Sequence, residues 1–475
     1  MKAHRDPHGA ADTRAPIVAA DPRERVNIAS SYQQRRERGR AARQSTPRSS
    51  HAVWKPAPDR PDPIELLQGQ AKTRQPDLAR HRYARMMPSP FTFMRGAAII
   101  MAHDLGGTPH TGIQAQLCGD CHLSNFGLYA SPERTLLFDV NDFDETLPGP
   151  WEWDLKRLAT SMVVAGRENG FGDSGCRRAA RGAATSYRQR MAEYSEMGEL
   201  ETWYSHVRAD EVFGLITDSR TKKKTKKALT KARGRDSLQA LSKLTRVVDG
   251  RRMFADDPPF LVRVKEDELR EQIDEILQMY RSTLQDDRLH LLDRYRFVDV
   301  ARKVVGVGSV GTRDYVVLLE GRDEDDPLIL QVKEAEASVL EGYLPQSTYK
   351  NQGQRVVAGQ RLMQAASDIF LGWLRGPAGR DFYWRQLRDM KGSAKIERMS
   401  PDELVIYASI CGWALARAHA RSGDRVQIAA YLGKSERFDG AIVDFAVSYA
   451  DQIERDHAAL CAAVKSGKIV GDVGA

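Results

Sequence analysis

Three glycines in the run Gly306-Val307-Gly308-Ser309-Val310-Gly311 are flanked on both sides by β-branched and aromatic residues, RFVDVARKVV before and TRDYVVLLEG after. The spacing G-x-G-x-x-G marks a dinucleotide fold only where a helix follows the glycines. Here a second strand-like run follows, so the segment predicts a hairpin with the glycines in its loop. PLILQVKEA adds a third strand, and IFLGWL and DFYWRQL add two more beyond a helix at GQRVVAGQRLMQAASD, which together make a small antiparallel sheet. In such a loop the missing side chains let backbone N–H groups approach nucleotide phosphates without Cβ clashes. Gly306, Gly308, Ser309 and Gly311 are therefore candidate nucleotide-binding residues. Lys333 closes the apolar run Leu328-Ile329-Leu330-Gln331-Val332, 22 residues after Gly311. An amine fixed there suits the α- and β-phosphates, whereas a lysine at a wet sheet edge needs no apolar approach. An acid on an adjacent helix must hold it; Glu341 and Glu336 are the candidates, with Gln360 a neutral competitor.

A chain of 475 residues has room for two or three folded units and a sizeable core. The formal charge of +8 is unevenly spread. Residues 1–60 hold 13 Lys and Arg against 6 Asp and Glu, so +7 of it lies there. That segment lacks apolar periodicity and is expected to be a basic, disordered extension. A second basic run, eight residues between Lys222 and Arg235 with no acid among them, reads as a solvated helix face, with an anionic-substrate dock as the alternative. Nucleic acid is not the expected partner; were it bound, binding would fall steeply with salt and vanish without residues 1–60. The longest apolar runs are too short for a membrane span, and the first thirty residues contain no apolar leader core. Five scattered cysteines, Cys118, Cys121, Cys176, Cys411 and Cys461, suit a reducing compartment. The expected location is cytoplasmic.

The second informative stretch is Cys118-Gly119-Asp120-Cys121-His122-Leu123-Ser124-Asn125, followed by the acidic strand Asp139-Val140-Asn141-Asp142-Phe143-Asp144-Glu145. Cys118, Cys121 and His122 spell the C-x-x-C-H pattern of covalent haem attachment, but that chemistry belongs to exported proteins. Zinc needs a fourth ligand that the sequence does not offer near by. The carboxylates read better. Phosphoryl transfer needs one carboxylate to orient or deprotonate the nucleophile, and amide and carboxylate oxygens to hold Mg²⁺ against the nucleotide. Asp120 is the candidate base and Asn125 a metal ligand. Asp142, Asp139 and Asp144 compete for the second metal position, in that order; a pair of Asx-rich turns is the bland reading.

These residues carry a resemblance. The runs MPSPFTFMRGAA, LCGDCHLSNFG, FDVNDFDETLPGPWEWDLKRLA, GVGSVGTRDYVVLLEG, VKEAEASVLE and MQAASDIFLGW resemble the uncharacterised bacterial family catalogued as domain of unknown function 2252, over roughly residues 60–460. Cys121 departs from it, standing where a small residue such as alanine is expected. More distantly, Leu117–Leu158 is similar to the aminoglycoside and choline phosphotransferases of the protein-kinase-like superfamily. Gly119, Asp120, His122 and Asn125 match the first part of their catalytic segment, and Trp153, Asp154 and Leu155 the last. Counting back from Trp153 selects Asp142; counting forward from Asn125 selects Asp139. The resemblance implies that Asp154 is structural and bonds the backbone of the catalytic loop. The order differs, because the catalytic segment here precedes the glycine loop. It implies a circular permutation, in which the helix YASICGWALARAHARSG matches the one that ordinarily leads into the catalytic loop.

The expectation is a two-lobed α+β, protein-kinase-like fold, circularly permuted. Residues 1–60 form the extension, 61–295 the first part of a helical lobe with the catalytic and metal loop, 296–392 a β-rich nucleotide-binding lobe, and 393–475 the helical remainder. The expected activity is ATP- and Mg²⁺-dependent phosphoryl transfer to an unidentified small-molecule or protein acceptor. Asp120 and Lys333 are its catalytic residues, Asn125, Asp142 and Asp139 its metal ligands, and Glu341 joins the glycine loop in holding nucleotide. The alternatives are nucleotidyl transfer, or a kinase-like nucleotide-binding module that transfers nothing.

Overall fold

The computed structural model describes residues 30–469 apart from positions 217, 235, 236, 249, 265, 305, 377, 388 and 389. The chain is a mixed α+β protein, and the described residues form one six-stranded sheet, three two-stranded ribbons and a larger helical part. Four helices, α1 (Tyr32–Ser45), α2 (Pro63–Ala71), α3 (Pro76–Met86) and α4 (Pro90–Gly96), precede α5 (Ala98–Gly106). Three of them open on proline, which costs nothing in a first turn because its missing N–H has no intrahelical acceptor there. Next, β1 (Gln114–Leu117) pairs antiparallel with β4 (Leu147–Pro150), and β2 (Phe126–Ala130) with β3 (Leu136–Val140) between them. The long helices α6 (Glu152–Glu168) and α7 (Asp173–Glu196) follow, then the shorter α8 (Glu199–Tyr204), α9 (Ala209–Leu215), α10 (Ser219–Arg233) and α11 (Ser237–Leu244).

The chain then enters the sheet region through β5 (Thr245–Val248), β6 (Arg251–Phe254), β7 (Leu261–Arg263), α12 (Glu266–Arg281) and α13 (Asp286–Leu292). Strands β8 (Arg296–Lys303), β9 (Asp314–Glu320) and β10 (Pro327–Glu334) come next, then α14 (Gln352–Met363), β11 (Gly372–Arg375) and β12 (Asp381–Gln386). The sheet is antiparallel in the order β11-β12-β10-β9-β8-β7. Alternation along β9 splits its apolar residues between two faces. Val317 and Leu319 join Leu328, Leu330 and Trp384 in a cluster with Tyr280 of α12, while Val316 and Leu318 join Ile329 in one with Ala240 and Leu241 of α11. The chain closes with α15 (Pro401–Ser422), α16 (Arg425–Leu432) and α17 (Arg437–Lys465).

The helical core is built on α6, α7, α15 and α17. A capping box at Ser400 and Glu403 starts α15, satisfying two of the donors that a helix start leaves open. It lies so close to α7 that a Cβ on Gly412 would sit 2.2 Å from the Ala183 carbonyl. Only glycine fits, and the flanking alanines Ala179, Ala180, Ala183 and Ala184 are all fully buried.

Two expectations about domain limits change. Residues 31–60 are not a disordered extension. Ser31 and Gln34 form a capping box, the Arg35 Nε bonds Asp424 at 3.0 Å, and the Arg43 Nε donates to the Tyr431 carbonyl at 2.8 Å. A Cβ on Gly39 would meet the Gln427 carbonyl, so α1 is seated on α16 by polar contacts and close approach rather than by an apolar stripe. Residues 1–29 of that expectation lie outside the described residues. The sheet unit also begins before 296, because β7 pairs with β8 and both α11 and α12 pack on its faces. The lysines of α10 are exposed, as the solvated-face reading requires. No helix among the described residues is long and apolar enough to cross a membrane.

Candidate active site

The loop between β1 and β2 is held from beneath by the first turn of α6. The Asp154 carboxylate accepts the Cys118 N–H at 2.8 Å and the Gly119 N–H at 3.1 Å, and the His419 Nε2 lies 3.3 Å from it. Asp154 is thus the structural anchor that the resemblance implied. Gly119 has φ +84°, and a Cβ there would lie 2.1 Å from the Glu145 carbonyl, so the turn into Asp120 requires glycine. The Asn125 Nδ2 and the His122 N–H both donate to the Asp120 carbonyl, at 2.7 and 2.8 Å. The Asp120 Oδ1 accepts from the Arg157 Nε at 2.5 Å, and its Oδ2 lies 3.6 Å from the His122 Nε2. Burial pushes the Asp120 carboxyl up, and Arg157 opposes that. Burial, helped by Arg157, holds His122 well below its usual range and therefore neutral.

The acidic stretch divides. Asp139, in β3, is fully buried and turned into the helical core, where its carboxylate accepts the Arg417 Nη2 and the Ala365 N–H, both at 2.9 Å. Its oxygens are committed to fold interior, which corrects its assignment as a metal ligand. Asp142 and Asp144 instead follow β3 in an open turn. The Asp142 Oδ1 accepts the Asp144 N–H at 3.2 Å, and burial together with the neighbouring Asp144 charge pushes its carboxyl up. The Arg355 side chain on α14 fixes the turn by donating to the carbonyls of Asp144 and Thr146, at 2.8 and 2.7 Å.

Lys333 reaches this turn. In β10 it stands directly across from Asp314 of β9 and Tyr383 of β12, and its Nζ pairs with Asp144 Oδ2. The Tyr383 hydroxyl donates to the other Asp144 oxygen at 2.5 Å. Burial alone would neutralise both ends. The pairing prevails, holding Asp144 below the usual carboxylate range and Lys333 well above that of an ordinary lysine. The acid beside Lys333 is therefore Asp144, and the assignment to Glu341 or Glu336 is corrected. Glu341 lies in a 3-10 turn, Val339–Gly342, and Lys333 is not among its partners. Gln360 on α14 bonds Gln364 at 2.9 Å.

The glycine loop joins β8 to β9, with φ +71° at Gly306 and +98° at Gly311. It is pressed onto the N-terminal helices. The Arg74 Nη1 donates to the carbonyls of Gly308 and Val310 at 2.7 and 2.6 Å, the Arg85 Nη1 to that of Gly306 at 2.6 Å, and the Gln75 N–H to that of Gly311 at 2.8 Å. A Cβ on Gly308 would lie 3.1 Å from the Arg95 carbonyl. Under the loop is a cavity of about 110 Å³ that Asp120, Asn125, Asp142 and Asp144 also line. Beside it is a cleft of about 840 Å³ lined by Lys333, Gln331, Gln386 and Leu387, with Asp142, Gly306 and Ser309 common to both spaces. Segments almost 190 residues apart thus surround one connected site. Sequence reasoning missed Arg157, Tyr383 and Arg355, whose isolated polar side chains carry no motif.

The cysteine pair sits behind the loop. Cys118, Cys121 and Asp154 bring ligand atoms within 4.8 Å of one another, all buried. Burial pushes the Cys118 thiol well up and that of Cys121 to about 11, whereas a metal takes thiolates, and Asp154 is spent on the loop N–H groups.

The family model described as "Uncharacterized protein conserved in bacteria (DUF2252)" matches residues 74–463, and the chain belongs to that family. No curated protein and no solved structure matches the chain.

Proposed function

We propose that the chain is an ATP- and Mg²⁺-dependent phosphotransferase of kinase-like, circularly permuted architecture, acting on an acceptor hydroxyl. The observation that carries this reading is the Lys333–Asp144 pair, which joins β10, the third strand of the run β8-β9-β10 whose first connection is the glycine loop, to the acidic turn of the catalytic segment. In protein kinases the phosphate-binding lysine stands on that third strand, and the metal aspartate lies across the cleft. Asn125 and Asp142 fit Mg²⁺. Asn125 spends its Nδ2 on the Asp120 carbonyl, leaving its oxygen as a ligand atom, and Asp142 is an acid whose ionised form is opposed by burial and by Asp144 and so favoured by a cation. Both offer the hard oxygen that this ion takes. When bound, the metal would neutralise charge on the nucleotide phosphates.

The remaining work falls to the chain. Gly306 to Gly311 cover the phosphates with backbone N–H groups, and Lys333 exchanges Asp144 for phosphate oxygen. Asp120 accepts the acceptor's hydroxyl proton as that oxygen bonds the γ-phosphorus, the bond from the γ-phosphorus to the bridging oxygen breaks, and ADP leaves. One contact favours a module that binds nucleotide without transferring: Arg157 occupies Asp120 Oδ1 and so weakens it as a base. Calorimetric titration with ATP·Mg²⁺, followed by a transfer assay against a cell extract, tests both. Absence of Mg²⁺-dependent binding rejects the phosphotransferase reading, and binding without transfer leaves the module.

A further inference from the structure

Three arginines from the N-terminal helical region face the small cavity under the glycine loop, and their charges are poorly matched. Arg82 is 1% exposed; its Nη2 bonds the Gln70 Oε1 and the Gly96 carbonyl, and its Nε and Nη1 have no partner among the described residues. Arg74, 7% exposed, bonds loop carbonyls through Nη1 and leaves its Nε unpaired. The buried Arg95 Nε is unpaired as well. A guanidinium keeps its proton at neutral pH, so taking it out of water without a counter-charge is costly. The carboxylates around the cavity supply too little of it. Asp120 is taken by Arg157, Asp144 by Lys333, and Glu334 by Arg313 and Arg380. Burial raises Glu145 to about 7. Glu145 aside, Asp142 and Glu336 alone among the described residues lining the cavity stand without an ion-pair partner against three cations, and Arg74 adds to the burial that holds Arg82 down at about 9.

We infer that Arg74, Arg82 and Arg95 form an oxyanion subsite for a phosphate group, next to Asp120 and distinct from the place where Lys333 meets a nucleotide. A cavity of ~10–15 Å³ suffices for one water, so about 110 Å³ accommodates a phosphate. Arginine forks suit phosphate oxygens, and the unused N–H groups supply the donors. The phosphate is either the nucleotide's terminal one or one carried by the acceptor, an assignment that rests on the phosphotransferase reading; the anion site itself rests on the arginines.

Inorganic phosphate titrated calorimetrically into the full chain at constant ionic strength tests it. Saturable binding is expected, at least tenfold weaker in Arg82→Gln and in Arg95→Gln. The second variant keeps the test usable if the first fails to fold, because no protein hydrogen bond of Arg95 is lost among the described residues. No saturable binding at millimolar phosphate, or wild-type affinity in both variants, overturns the subsite. Repeating the titration with nucleotide distinguishes the sources. Displacement by a non-hydrolysable ATP analogue with Mg²⁺, but not by ADP with Mg²⁺, assigns the terminal phosphate. Binding beside both assigns the acceptor. Displacement by both means that the ion was held at the nucleotide's own position, which overturns the subsite. Arginine-dependent phosphate binding by a chain that binds no nucleotide sinks the phosphotransferase reading and leaves the oxyanion site standing.

Discussion

Lys333 and Asp144, 189 residues apart in the chain, form an ion pair between the six-stranded sheet and the turn after β3, with Tyr383 bonded to the same carboxylate. The pair is where the two distant sequence motifs become one site.

Lys333→Met leaves Asp144 near-buried without its cation. Removing one partner of a buried pair costs up to ~3–5 kcal/mol, and water reaching Asp144, whose side chain is 29% exposed, trims that figure. The expected result is a lower melting temperature together with ATP·Mg²⁺ affinity weakened at least tenfold. Adding Asp144→Asn should restore much of the stability and none of the affinity. If the double variant recovers nucleotide binding in calorimetry, Lys333 serves the fold alone.

Asp139 and Asp142 should part company. Asp139→Ala strands Arg417, which is fully buried, and is expected to destabilise the chain by ~3–5 kcal/mol in denaturant titrations. Asp142→Ala removes a half-buried carboxylate that is pushed toward neutrality, so it should leave stability nearly unchanged while abolishing Mg²⁺-dependent nucleotide binding. Retained Mg²⁺ dependence in folded Asp142→Ala would remove Asp142 from the site.

The contrast between these two aspartates shows what a sequence can reveal. The loop from Cys118 to Asn125 and its anchor Asp154 were legible because they are fixed by contacts within about forty residues, so spacing carries the geometry; the acidic turn is held from α14 and the six-stranded sheet, and only its composition could be read. The small sheet was legible from its β-branched runs and glycines. The face of β3 was not, because all five residues Leu136–Val140 are buried and period-two alternation says nothing about direction. The partner of Lys333 was hidden for a different reason: a pairing across 189 residues leaves no local pattern, and Glu341 and Glu336 were merely acids on the segment that follows β10. The helix α1 was missed because it is held by arginines and a close glycine rather than by an apolar stripe. Arg74, Arg82 and Arg95 look like ordinary surface residues until the fold buries them.

Asp120→Asn bears on catalysis rather than binding. An amide keeps the shape and can still meet Arg157, so ATP·Mg²⁺ affinity is expected to stay within about twofold while turnover falls by ~10²–10⁴-fold, the usual contribution of a general base. Single-turnover transfer kinetics measure the second quantity independently of the first. Full activity in Asp120→Asn would make Asp120 a turn residue.

Asp314 gives a prediction about pH. It is 2% exposed, its Oδ1 accepts only the Thr312 hydroxyl at 3.2 Å, and its Oδ2 has no partner among the described residues. Burial raises its pKa to about 7, with Lys333 pulling down and Asp144 pushing up; the unfolded value is ~3.9. Between those values the native state holds a proton that the unfolded chain has released. Stability from this group is therefore fully present below pH ~4, falls as pH rises towards 7, and levels off above it, by an amount on the order of a few kcal/mol. Asp314→Asn replaces the protonated acid with a neutral isostere. It should match wild type near pH 4 and exceed it at pH 8 in chemical unfolding followed at both values. Glu145 contributes a slope of the same sign, being raised to about 7 as well, but it is present in both proteins and cancels in the difference. Parallel stability profiles for wild type and Asp314→Asn between pH 4 and 8 would mean that Asp314 is ionised throughout, with Lys333 shared between two carboxylates instead of committed to Asp144.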